Sequence, residues 1–221
     1  MKNQKNRQII ALIINIICLG LELWAILDQV LGVVPLGTEL SGTGPIMLKY
    51  FTNDSNVILA ISNLIMIVFL LLSIFKDITI PKFAIMFKFV CTTAVSTTML
   101  VSVFYLLPTM GAFILEPTCL LYLHLICPLL AIASFIFFEL EHKISYKQAL
   151  CSFIPVLLYT IIVVPIVSVG MIPDHYGFLD AAHNPWYVSV LAIIFVIGGT
   201  YAFGCILVLL RNIFIKKWNI E

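Results

Sequence analysis

The sequence predicts an all-α fold, a bundle of six transmembrane helices forming a single integral membrane domain over residues 1–221. Three observations predict it. Hydrophobic residues make up 62% of the 221-residue chain and charged residues 10%, with a mean hydropathy of +1.13. Six apolar stretches, at 9–34, 57–75, 83–107, 119–138, 149–172 and 186–210, are each long enough to cross a ~30 Å hydrocarbon core at about 1.5 Å per residue. The basic residues gather on alternate connections, as the positive-inside rule expects of a multi-pass protein. The connections are too short to hold a soluble domain, and a net charge of +1 carries no nucleic-acid footprint.

The first stretch follows Lys2, Lys5 and Arg7, a signal-peptide-like opening. Its length exceeds a signal h-region, no Ala-x-Ala site follows and five more spans come after it, so it reads as a retained helix. Lys76, Lys82 and Lys88 surround the second connection, Lys143 and Lys147 occupy the fourth, and Arg211, Lys216 and Lys217 follow the sixth span. Together these eleven fall on one side and leave Lys49 alone on the other, which predicts a cell-membrane protein with both termini cytoplasmic. Pro35, Pro81, Pro108, Pro173 and Pro185 mark turns, whereas Pro128, Pro155 and Pro165 interrupt spans. In an α-helix each interrupting proline strips the carbonyl four residues earlier of its partner, and for Pro128 that carbonyl is His124's. The cysteines at 18, 91, 119, 127, 151 and 205 lie in or at the ends of spans with no Cys-x-x-Cys spacing, so they read as buried free thiols. Gly198-Gly199-Thr200 in the last span permits close helix packing.

Polar groups at membrane depth are costly and mark functional candidates. Asn15, Glu22 and Gln29, spaced by seven, share one face of the first helix, either as interhelical hydrogen bonds or as part of a site or proton path. Lys49-Tyr50-Phe51-Thr52-Asn53-Asp54-Ser55-Asn56 is a polar island running into the second span. On position alone Thr52, Asn53, Asp54 and Ser55 are candidate N-caps, Thr52 the least suited of them. If the helix begins before Thr52, then Thr52, Asn56 and Asn63 form a polar stripe. Thr92, Thr93, Ser96, Thr97 and Ser102 in the third span read as packing hydroxyls. His124 is the only histidine within a span, either satisfied by a neighbouring helix or poised to take a proton from a hydroxyl. Measured from Lys76 and Lys143, Thr52 and His124 differ in depth by roughly 7 Å, within reach of helix tilt and a Pro128 kink. If the fourth span ends at Phe138, the difference grows to about 13–15 Å and contact becomes difficult. The last outer loop holds Asp174, His175, Asp180 and His183, whose spacing matches no specific metal motif; a solvated loop or a cap over a cavity is expected, with no metal.

Tyr50-Phe51-Thr52 ahead of the second span resembles the Phe-Thr or Phe-Leu-Thr motif of the androgen-induced-gene family and its bacterial relatives. His124-Leu125-Ile126-Cys127-Pro128 is similar to the His-x-x-x-Pro segment of that family. Tyr176-Gly177-Phe178-Leu179-Asp180 is similar to its aromatic-Pro-x-Phe-Leu-acidic segment, with Gly177 where many relatives carry proline. The three segments fit in order along essentially the whole chain. The resemblance implies six membrane spans and an intramembrane hydrolase of lipid esters, including fatty-acid esters of hydroxy fatty acids. It carries the catalytic threonine onto Thr52 and the histidine onto His124. Under that chemistry His124 deprotonates Thr52, an acyl-Thr52 intermediate forms, and Asn56 is the expected oxyanion donor. Asp180, Asp54 and Glu22 are candidates to orient His124, and Cys127 or Cys119 is the alternative nucleophile. The expected partners are membrane lipids and a lipid-ester substrate, with no cofactor. The alternative is a non-enzymatic membrane protein that binds or transports a lipid or small amphiphile in a cavity lined by Glu22, Asn56 and His124. An inverted repeat with glycine-broken helices, the signature of many transporters, is not evident.

Overall fold

Each apolar stretch folds as one helix in a computed structural model that describes residues 2–32, 44–112, 118–174, 176–179 and 184–218. The helices are α1 (Lys2–Leu31), α2 (Phe51–Lys76), α3 (Lys82–Thr109), α4 (Cys119–Phe137), α5 (Tyr146–Ser168) and α6 (Trp186–Lys217), all long and apolar enough to cross a membrane. No strand occurs among the described residues, so the chain is an all-α, multi-pass membrane protein. The start of α1 and the end of α6 lie at one end of the bundle, its basal end; Thr52 and the segment 176–179 lie at the apical end. α2, α3 and α6 outrun the apolar stretches that predict them, because helical hydrogen bonding continues where the side chains turn polar, whereas α1 and α5 start and stop earlier than expected and α4 stops one residue short. α2 begins six residues before the expected 57, which puts the polar island inside its first turns.

Local chemistry accounts for the turns. α2 ends on Asp77 in the left-handed region (φ 54°), its N–H returned to the Leu72 carbonyl, and extended Pro81 opens α3. α5 opens with a capping box, Ser145 accepting from the Gln148 N–H while the Gln148 side chain accepts from the Ser145 N–H.

Large apolar side chains such as Phe104, Phe195 and Ile16 face outward, and the interior is partly polar. Lipid supplies no hydrophobic drive between helices, so close packing and polar bonds join them. The tightest approach in α6 is at Gly204, where an added Cβ would stand 2.9 Å from Ser152 of α5 and 3.4 Å from Phe89 of α3. Gly198 and Gly199, expected to pack closely, have open space beside them.

A buried polar network joins the helices in the basal half. Lys88 Nζ donates to Asn15 Oδ1 (2.9 Å) and to Asn63 Oδ1, and Asn63 Nδ2 donates to Glu22 Oε2 (2.8 Å). Asn15 Nδ2 and Ser134 Oγ both donate to Glu139 Oε1 at 2.7 Å. Arg211 donates to the carbonyls of Phe135, Glu139 and His142, and Arg7 to that of Phe138, so two guanidiniums satisfy the carbonyl end of α4. Arg7, Lys88 and Arg211, expected among the charges flanking the spans, are therefore interior residues, at 4%, 1% and 0% exposure.

This network decides the depth of α4. Gln8 donates to Ser73 at 3.0 Å, registering α1 against α2 near the basal end. Asn15, seven residues and so about 10 Å further up α1, is where α4 stops. The 13–15 Å obstacle to contact rests on α2 and α4 reaching one basal plane. They do not: α4 ends at Phe137, well inside the bundle, and that inset lifts His124 to the level of Thr52.

Candidate active site

Thr52 sits in the first turn of α2. The N-cap residue is Tyr50, with no side-chain cap. None of the favoured cap residues takes that role: Asn53 Nδ2 donates to the Met47 carbonyl (2.8 Å), and Ser55 Oγ donates to the Thr52 carbonyl (3.0 Å) beside Thr98 Oγ1. Pairing with an apical turn (Gly44–Lys49) and with α3 has drawn the helix start back past them.

His124 lies in a π-helical turn, Tyr122–Ile126, closed by the Cys127 N–H donating to the Tyr122 carbonyl. In this i→i+5 register Pro128 orphans the carbonyl of Leu123 rather than that of His124, the residue an α-helix would single out. Asn56 Nδ2 supplies the missing donor, at 3.1 Å to Leu123 O and 2.7 Å to Thr52 O. One amide thereby ties the first turn of α2 to the loosened turn of α4.

Across that tie, Thr52 Oγ1 stands 3.2 Å from His124 Nε2, and His124 Nδ1 stands 2.8 Å from the Leu120 carbonyl. A carbonyl only accepts, so Nδ1 carries the proton of the neutral imidazole and Nε2 presents its lone pair. The Thr52 hydroxyl therefore donates to Nε2. Both side chains are buried, at 7% and 6% exposure. The arrangement is that of a hydroxyl beside a base whose tautomer is fixed by a third group.

The other expected residues are placed differently. The partner of His124 Nδ1 is a backbone carbonyl, not a carboxylate. Glu22 is bound to Asn63 and receives the Cys18 thiol at 3.7 Å, in the network below the site. Asn56 has spent both N–H groups on carbonyls, and only its unpartnered Oδ1 remains, so it is not the oxyanion donor expected of it. Asp180, with His175 and His183, lies outside the described residues. Cys119 Sγ accepts from Gln29 Nε2 (3.8 Å), while Cys127, Cys18 and Glu22 bring their donor atoms within 4.8 Å of one another; neither expected alternative nucleophile replaces Thr52 at Nε2.

Sequence reasoning missed Tyr176 as a site residue. The Asp174 carboxylate accepts from the N–H groups of Tyr176 (2.9 Å), Gly177 (3.0 Å) and Leu179 (2.8 Å), and Gly177 adopts φ +76°. The Tyr105 hydroxyl donates to the Tyr176 carbonyl (3.0 Å), and Phe178 packs on both tyrosine rings. The loop so formed carries the Tyr176 hydroxyl to the start of α2, where it accepts from the Phe51 N–H at 3.1 Å and Tyr176 lines one cavity with Thr52 and Tyr159. Burial pushes its pKa up to about 12. The signal was its aromatic position in the loop motif, but nothing in the sequence says that this loop folds inward.

Thr52, Phe51 and Tyr176 line a small cavity of about 50 Å³ that lies between α3, α5 and α6 along Val101, Leu106, Val156 and Val196. Fold and site together define a class: a six-helix membrane protein with a buried threonine–histidine pair whose threonine lines an apolar cavity. Comparison with protein-family models, with curated proteins and with solved structures finds no match for the chain.

Proposed function

We propose that this protein is an intramembrane hydrolase of fatty-acyl esters, with Thr52 as nucleophile and His124 as general base. The observation that carries the reading is the Nε2 lone pair of His124 facing the Thr52 hydroxyl at 3.2 Å while Leu120 O holds the opposite nitrogen. The apolar walls of the cavity beside Thr52 match the chemistry of an acyl chain, and the three short motifs that resemble those of the androgen-induced-gene family point to the same chemistry. In this reading Thr52 Oγ1 attacks the ester carbonyl as its proton passes to Nε2. Collapse breaks the bond to the alcohol, which leaves with that proton. Water then attacks acyl-Thr52 with His124 again as base, releasing the fatty acid and restoring the hydroxyl. Lysines at the basal end and only Lys49 at the apical end support a plasma-membrane topology with cytoplasmic termini and the site toward the outer leaflet.

The test is hydrolysis of fluorogenic acyl esters of graded chain length by the purified protein in detergent, with Thr52→Ala and His124→Ala alongside. The expected result is loss of turnover in both, His124→Ala by about 10²–10⁴-fold, the usual worth of general-base catalysis. Turnover in both variants equal to the parent would refute the assignment. Saturable lipid binding with no turnover in any form would favour a lipid-binding protein instead.

A further inference from the structure

Attack on an ester carbonyl needs a donor for the oxygen that becomes negative, and Thr52 and His124 do not supply one. Nor does Asn56, whose N–H groups are both committed to carbonyls. We infer that the Tyr176 hydroxyl, seated on the first turn of α2, forms the oxyanion site, binding the carbonyl oxygen of the acyl ester. The inference rests on the hydrolase reading and extends it to a residue the shared motifs assign no role.

Three observations converge on that hydroxyl. Its oxygen accepts from the Phe51 N–H, a group with no intrahelical partner at the N-terminus of a 26-residue helix. Because the oxygen is already an acceptor, its proton is left to donate, beside the cavity that Tyr176 lines together with Thr52. Thr52 donates to His124, so a directed chain runs from Thr52 through His124 to the Leu120 carbonyl, and Tyr176, seated on the Phe51 N–H, stands at its head. The N-terminal end of the α2 dipole reinforces donation by Tyr176.

The chain is suited to switching. When Thr52 Oγ1 bonds to the carbonyl carbon its proton goes to His124, and it becomes an ester-type oxygen, a weak acceptor. The carbonyl π-electrons move onto the neighbouring oxygen, bonded to the same carbon, and that oxygen accepts the hydrogen bond of the Tyr176 hydroxyl. Tyr176 stays neutral and is not consumed. As the carbonyl re-forms, the alcohol leaves with the His124 proton, and Tyr176 stays on the carbonyl oxygen of acyl-Thr52 until water releases the fatty acid and restores the Thr52 hydroxyl. The loop that presents Tyr176 is held by Asp174 and Tyr105, so the donor is in place before substrate arrives.

The experiment uses the full chain in detergent, a p-nitrophenyl acyl ester and an alkyl fluorophosphonate as covalent probe. Tyr176→Phe, checked for a wild-type melting temperature, is expected to lower kcat about 10²–10³-fold, with KM within about 3-fold, as removal of an oxyanion donor does. Replacement of Tyr176 by a ring-fluorinated tyrosine, whose phenol is a stronger donor, is expected to restore kcat to the parent's level or above, which a merely structural role would not do. A Tyr176→Phe kcat within about 3-fold of the parent overturns the inference, and so does a fluorinated form as slow as Tyr176→Phe. The hydrolase reading fails separately, if the parent neither turns over the ester nor is labelled at Thr52, or if Thr52→Ala is labelled and active; either result overturns the inference with it.

Discussion

Asn56 is the hinge between the two halves of the site, and replacing it by leucine has a cost that can be worked from the structure. The substitution removes two hydrogen bonds but strands only one carbonyl. Thr52 O keeps the bond from Ser55 Oγ, whereas Leu123 O has no other donor, because the residue five positions on is Pro128. One orphaned buried carbonyl costs about 1–3 kcal/mol, and the lost interhelical bond about 0.6 kcal/mol more. At roughly 2–4 °C per kcal/mol for a chain of this size, the melting temperature in detergent should fall by about 3–14 °C. The decisive form is a double-mutant cycle. Pro128→Ala restores an N–H that can reach Leu123 O, so Asn56→Leu should cost at least about 1 kcal/mol less in that background. The readout is thermal unfolding of the four proteins under one detergent condition. Additivity within about 0.5 kcal/mol would refute the account of the π-turn and its side-chain rescue.

Lys88→Met leaves Glu22 and Glu139 buried without their ammonium and should cost about 3–5 kcal/mol, read by chemical or thermal unfolding, with partial recovery on adding Glu139→Gln. Gly204→Leu has no space against Ser152 and Phe89 and should abolish folded protein in a size-exclusion assay, whereas Gly199→Leu, beside open space, should leave the elution profile unchanged. Burial holds the Tyr176 phenol at about 12 in the folded state against about 10 when unfolded. The unfolded chain therefore loses that proton first, and stability should fall as pH rises between about 10 and 12. Melting curves of Tyr176→Phe should lack that component of the decline.

The six helices were legible because lipid demands long apolar runs, a signal that no tertiary detail overrides. Their register was not. Lys88 and Arg211 look like loop-flanking charges in sequence, since nothing local distinguishes a lysine one turn inside a span from one at its end. Only the assembled bundle shows that Arg211 meets the end of α4, and that encounter sets the height of His124. The Thr52–His124 pair was nameable from short motifs, while its orientation was hidden. A carboxylate was the expected partner of His124, and the Leu120 carbonyl took the place because a π-turn reorganises the bonds around Pro128. Backbone acceptors leave no trace in side-chain sequence. Tyr176 escaped notice for a related reason: its role comes from a loop conformation set by the Asp174 carboxylate, not from periodicity.

The central claim, that Thr52 carries the acyl group, is tested most directly by rapid quenching of the protein with a chromogenic ester, followed by mass mapping of its peptides. The account predicts one acyl adduct on the peptide containing Thr52, absent from Thr52→Ala and formed much more slowly in His124→Ala. An adduct at Cys127, Cys119 or another residue, or steady turnover by Thr52→Ala, would contradict it.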